Sequence, residues 1–411
     1  MNTLGMGTFD LTNNNAGDAG SLVATSFDAF GRQRVSSPST TLDLKLNNDF
    51  NTDVTWSTST SGGGAIAHTQ ATASVALTVG ATASDRAVIQ SRSKGIYYPG
   101  KSLQIMMTFV LGSNSSGVTK RCGYFDDLNG LFIQQGEDGV ISFVIRNQSV
   151  DTVVPQSSWN GDTMDGNGMS GITLNPEAAQ ILFIDVEWLG VGSVRFGFVV
   201  DGKFILCHSQ HHANSVTGVY MGNPNLPIRY EISTTGGDPS SLKAICSTVI
   251  AEGGPDSVGR TIAPSRGITE KAVAGNSWGE LLSVRIRDAY KNSANLVPFN
   301  ISVLNSSTTD YYWELVLNDP DMSSGTYVST GTLTEFSINR TGTPTGSGFI
   351  LASGYGASVV GSPSQIYFDF KSVLKVACGI SGVADILSLR VRNMTIGSDD
   401  FYGAVTLQEE I

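Results

Sequence analysis

Apolar and polar positions alternate with period two along much of this chain, in short runs separated by Gly, Asn and Asp. Period two places every second side chain on one face of an extended strand, so each run predicts a strand with one buried face. The clearest runs lie between residues 91 and 250. They are Ser102–Val110, Arg121–Phe125, Gly130–Gln134, Gly139–Arg146, 181–189, 194–200, Phe204–His208 and Ile228–Ile232. Turn chemistry falls between them at Asp126-Asp127, Asn129-Gly130, Asp138-Gly139, Gly190-Val191-Gly192-Ser193 and Asp201-Gly202. Strands at this spacing predict an antiparallel sandwich.

A second series follows: Leu281–Ile286, Phe299–Leu304, Tyr311–Leu317, Phe336–Asn339, Gln365–Phe370, Ile386–Val391 and Tyr402–Gln408. Between the series, residues 256–278 carry Pro264 and several Gly and read as a linker. Ahead of the first, an Asn- and Gly-rich opening passes into SFDAFGRQRVSSP (Ser26–Pro38), which reads as an extended arm. The expectation is an all-β chain. It has an N-terminal arm over 1–50, a β-sandwich over 51–255, a linker over 256–278 and a second C-terminal β-sandwich over 279–411. No repeat at fixed period occurs, which excludes solenoids and propellers.

Composition sharpens this picture. Only 15% of the 411 residues are charged, Gly alone numbers 47, and the net charge is −11. No basic run occurs anywhere, so nucleic acid is not an expected partner. No apolar stretch approaches the ~20 residues of a membrane helix. The segment MNTLGMGTFDLTNNN lacks the basic start and apolar core of a secretory signal. The four Cys (Cys122, Cys207, Cys246, Cys378) form no CxxC pair and read as buried thiols of a protein made in a reducing compartment.

The stretch ILFIDVEWLGVGSVRFGFVVDG (Ile181–Gly202) carries a first resemblance. Glu187-Trp188 followed by Val194-Arg195-Phe196-Gly197-Phe198-Val199-Val200-Asp201-Gly202 resembles the strands of laminin-G-like and legume-lectin-like jelly rolls. This implies a concanavalin-like jelly roll for the first sandwich. Related β-glucanases carry E-I-D-x-E on the equivalent strand, with the first Glu as nucleophile and the last as acid/base. This chain reads Phe183-Ile184-Asp185-Val186-Glu187, with Phe183 in the nucleophile position. A retaining mechanism needs two carboxyl groups about 5–5.5 Å apart, and phenylalanine forms no glycosyl intermediate. The chain is therefore not expected to be an enzyme, a sandwich-type glycosidase being the minor alternative. Asp185 and Glu187 are expected to pair with Arg195 or Arg146 on adjacent strands.

Other candidates are weaker. Cys207, His208, His211 and His212 cluster, but His211 and His212 are adjacent and point apart on an extended chain, so no metal site is expected. Asp126, Asp127, Asn129 and Asp162 are loop oxygens of the kind lectin sandwiches use, and Trp159 in a polar loop is the candidate for stacking on a sugar. These five residues form the expected glycan-binding set. No GxSxG, Walker or dinucleotide motif is present, and no cofactor is expected.

A second resemblance lies in Phe27-Asp28-Ala29-Phe30-Gly31-Arg32-Gln33-Arg34-Val35-Ser36, Tyr97-Tyr98-Pro99-Gly100-Lys101, Gly123-Tyr124-Phe125-Asp126-Asp127 and Trp159-Asn160-Gly161-Asp162. These resemble phrases of tailed-bacteriophage virion structural proteins. The resemblance implies a virion component made in the host cytoplasm, sited on tail, neck, fibre or capsid. Its partners would be copies of itself and other virion proteins, with Phe27, Phe30, Arg32 and Arg34 as docking-arm residues. A glycan-binding adhesin that recognises a host surface glycan is the alternative.

Overall fold

The computed structural model describes residues 27–29, 31–253, 259–307, 309–356, 364–367 and 375–411, with only the backbone described at 364–367. Phe30 lies outside them. Among the described residues the only helical elements are short 3-10 turns, and every strand pairing is antiparallel. The chain is all-β, a jelly-roll sandwich followed by a second sandwich.

The first sandwich stacks an eight-stranded sheet on a seven-stranded one. The eight-stranded sheet places Gln180–Glu187 between Ser193–Val200 and Leu103–Val110. Leu182, Ile184 and Val186 point inward and meet Leu131, Ile133, Phe143 and Ile145 from the other sheet. Alternation then turns Phe183, Asp185 and Glu187 outward, yet all three are fully buried. Something therefore covers the outer face of this sheet.

The second sandwich pairs a five-stranded sheet, built on Asn295–Asn305 and Asp399–Glu410, with a six-stranded one. Leu282, Val284, Leu315, Leu389, Val303 and Leu407 fill its core.

Two expectations are corrected. Within the expected arm, Pro38–Lys45 is a strand on Ser240–Glu252, with Leu42 and Leu44 buried. Within the expected linker, Arg260–Ile262 and Lys271–Val273 pair with Asp399–Glu410. Arg266 of the same segment donates to the carbonyls of Leu281 (2.6 Å) and Ile338 (2.9 Å). Both segments look loop-like in sequence because a sheet edge needs only one apolar residue in two, and here the runs are short.

The sandwiches are joined by buried polar contacts. Lys94 is buried, and its ammonium donates to the carbonyls of Cys378 (2.7 Å) and Arg92 (2.9 Å). Burial lowers its pKa to about 8. Arg92 pairs with Asp385 at 2.7 Å, and Asn295 exchanges two hydrogen bonds with the Lys94 backbone.

Candidate functional site

The outward carboxylates of Gln180–Glu187 are covered by the segment around residues 27–34. That segment closes a tight loop through a bridge between Phe27 and Gln33. Gly31 sits there at φ +78°, a conformation that side chains with a Cβ rarely adopt. Asp28 is buried and staples the loop, accepting from the Arg32 backbone N–H (2.8 Å) and from its Nε (2.6 Å).

From this loop two guanidinium groups reach the sheet. Arg34 pairs with Asp185 at 2.7 Å, and Arg32 lies 3.2 Å from Glu187. The neighbouring strand supplies a third. Asp185 stands opposite Arg195 in register, and the Arg195 Nε donates to Asp185 at 3.1 Å while its Nη2 also binds Asp185. That Nη2 donates to the Phe27 carbonyl as well, at 2.6 Å. Tyr97 donates its hydroxyl to Glu187 (3.3 Å). The result is two adjacent ion clusters, Asp28–Arg32–Glu187 and Arg34–Asp185–Arg195, on the outer face of one strand.

Burial raises the Asp185 pKa, opposed by Arg195 and Arg34. Burial also pushes Glu187 up to about 7, opposed chiefly by Arg32. A folded state that keeps a proton the unfolded chain releases loses stability as pH rises. Glu187 thus contributes a loss of about 1.4 kcal/mol per pH unit between the ordinary glutamate value of 4.5 and about 7, and none above that. In Arg32→Ala the opposing cation is gone. Its Glu187 pKa is expected above that of the parent, as a carboxyl 13C NMR titration would read; an unchanged midpoint would contradict the pairing.

Phe183, which stands where a glucanase nucleophile would stand, packs against Phe204 with ring centroids 5.1 Å apart. A Cβ on Gly197 would come within 2.6 Å of the Phe183 ring, so glycine there makes room for it. Of the two carboxylates expected to pair with Arg195 or Arg146, Asp185 pairs with Arg195, whereas Glu187 pairs with Arg32 from the N-terminal segment. Arg146 instead binds Asp151 at 2.7 Å across its own hairpin.

The expected glycan-binding set does not converge into an open site. Trp159 is only 4% exposed and stacks on Phe143 at 4.2 Å, with its indole N–H donating to the Val154 carbonyl. Asp162 is buried and accepts from the N–H groups of Met164 (2.8 Å) and Ser170 (2.6 Å). Asp126 caps the turn at Leu128 and Asn129, and Asn129 accepts from Gly222 N–H. Asp127 is exposed and pairs with Arg229 at 2.9 Å. These are turn-forming roles. Among the docking residues, Arg32 and Arg34 bind their own sandwich, and Phe27 contributes its carbonyl while its side chain stays 37% exposed.

Among the described residues no group of three or more His, Cys, Asp or Glu side chains is placed to hold a metal ion. His212 stacks on Tyr220 at 3.9 Å and bonds the Gly192 carbonyl, His211 bonds Ser193, and Cys207 is buried. Asp28 and Tyr97 are the network members the sequence reading missed. The i,i+4 spacing of Asp28 and Arg32 was the available signal for the first.

No family model matches the chain, and no curated protein matches it. Among solved structures it is similar to the carbohydrate recognition domain of Emp47p, at 10% identity and TM-score 0.33, over 53% of this chain and 97% of that one. It is similar to the CBM2 module of the evolved Dit of Lactobacillus casei BL23 phage J-1, at 10% identity and TM-score 0.35, over 54% and 99%. A protein of unknown function from Shewanella oneidensis MR-1 follows at 11% and 0.34, over 56% and 92%. At such scores these likenesses say nothing about what this chain binds.

Proposed function

We propose that this chain is a non-enzymatic structural protein of a tailed-phage virion that assembles through its β surfaces and N-terminal segment. One observation carries the reading. Two of the phrases on which the virion resemblance rests, around Phe27–Ser36 and Tyr97–Lys101, meet in space at Asp185 and Glu187. The other two are packing elements of the same sandwich. The Tyr124 hydroxyl ties the Gly95 and Pro224 carbonyls, and the Gly161 and Asp162 N–H groups bond Cys207 and Leu206. The phrases therefore specify how an N-terminal segment is fastened to a sandwich, a task suited to a chain that must hold its shape in an assembly.

The same geometry argues against sugar cleavage. The pair that would act on a glycoside is ion-paired, buried and covered by Arg32 and Arg34. Copies of the chain and other virion proteins are the partners this reading implies, and the virion its location. Purified protein is expected to run as an oligomer by light scattering coupled to size exclusion and to co-sediment with particles. A strict monomer that never accompanies particles would overturn the proposal, as would hydrolysis of a β-glucan that Glu187→Gln abolishes.

A further inference from the structure

Two loops cross between the sheets of the first sandwich side by side. Residues 111–117 lead from Leu103–Val110 to Val118–Phe125, and residues 235–239 lead from Ile228–Thr234 to Ser240–Glu252. The Thr235 N–H donates to the Gly117 carbonyl at 2.9 Å and ties the two loops together. Beside them opens a cavity of about 400 Å³, with Lys120 in its wall. Period two puts this side chain on the inward face with Val118, Cys122 and Tyr124, and it is 1% exposed. Its ammonium donates to the carbonyls of Leu111 (2.7 Å) and Ser113 (2.8 Å), which leaves the third N–H without a partner among the described residues. No described carboxylate pairs with it or acts on its charge, and Asp238 on the adjoining loop is exposed. Burial lowers the Lys120 pKa to about 8. A buried cation without a counter-charge costs free energy that an anion beside it would recover.

We infer that this cavity binds a small free oxyanion, of carboxylate, sulfate or phosphate type, on the Lys120 ammonium. The rest of the wall fits that chemistry. Besides Lys120 it holds five hydroxyl residues, among them Ser113, Ser115 and Ser240, with no acid and no aromatic ring. Ser115 donates to the Ser240 hydroxyl oxygen at 3.0 Å, which leaves the Ser240 proton for a ligand. A metal cation would meet a like charge and no carboxylate. A sugar would find no ring to stack on. An apolar ligand would strip water from an ammonium and several hydroxyls without replacing those hydrogen bonds. An oxyanion accepts from N–H and O–H donors alike and brings the missing counter-charge.

The test titrates inorganic phosphate, sulfate and acetate separately into the full chain at fixed ionic strength, with chloride as the control, and reads binding by calorimetry. Saturable binding of at least one oxyanion is expected, and the order among the three tells a tetrahedral ligand from a carboxylate. Lys120→Met keeps much of the side-chain volume and is expected to weaken binding about tenfold or more, and Ser240→Ala about threefold. A second readout uses the unsubstituted protein. A bound anion favours the charged ammonium, so the Lys120 titration followed by 15N NMR should move above its midpoint of about 8 when the tightest of the three is present. A lysine that only props the loop would not respond. Should Lys120→Met fail to fold, Ser240→Ala and this titration decide the question. No saturable binding, a response no greater than that to chloride, or a Lys120 midpoint that the anion leaves in place would each overturn the inference. So would binding that survives in folded Lys120→Met, above all if that variant changed oligomeric state, because the cavity would then hold a neighbouring chain's carboxylate. Co-sedimentation with particles, which tests the virion reading, is independent of each of these results.

Discussion

Asp185→Ala is expected to lower the unfolding free energy of the first sandwich by about 3–5 kcal/mol. Asp185 is the node of the buried network, paired with Arg34 from the N-terminal segment and Arg195 from the neighbouring strand. Removing it takes this counter-charge from two guanidinium groups whose side chains are only 16% and 7% exposed. The attraction between these charges is offset largely by their desolvation, so the intact network contributes little net stability. The cost of the variant comes from buried cations that have lost this counter-charge. Asp185→Asn keeps the shape and an acceptor but not the charge, and should fall between the two. A second readout is local. Arg32 and Arg34 are trypsin sites held against the sheet, so Asp185→Ala should be cut there faster than the parent under native conditions. Urea denaturation within 1 kcal/mol of the parent (on the order of the error in such data), together with unchanged cleavage, would contradict this account.

The strands that sequence reading locates well are those with unbroken alternation and a buried face, such as Leu103–Val110 and Tyr311–Leu317. Ser240–Glu252 is as central and as long as any, yet its pattern hides it. A bulge between Ala244 and Cys246 moves the buried set from Leu242 and Ala244 to Ser247, Val249 and Ala251, so no single period runs through it. Phe349–Gly356 escapes for another reason. It is an edge strand whose Phe349, Ile350 and Tyr355 are exposed, and apolar residues facing water carry no periodic signal. The same limit governs the site. Asp185 and Arg195 are legible as a pair because they lie on two strands of one hairpin. Arg32 and Arg34 meet that hairpin across more than 150 residues of chain, and Tyr97 from some 90. Trp159 misleads because a polar loop suggests an exposed tryptophan, whereas this loop folds back and seats the ring on Phe143. Local composition reports the company a residue keeps in sequence, and burial is decided by the company it keeps in space.

Arg390→Met is expected to cost the second sandwich about 3–5 kcal/mol by the same logic with the signs reversed. Arg390 is fully buried; its Nε donates to Glu314 and its Nη1 to Asp319, each at 2.7 Å. Methionine fills much of the volume but leaves two buried carboxylates facing each other without a cation. Arg390→Lys should recover only part of the loss, since a single ammonium cannot fork to two carboxylates as a guanidinium does. Its guanidinium carbon also lies 4.9 Å from the Trp278 ring centroid. A cation on that face holds the ring in place. Stability unaltered by the substitution would show that the two carboxylates find other partners.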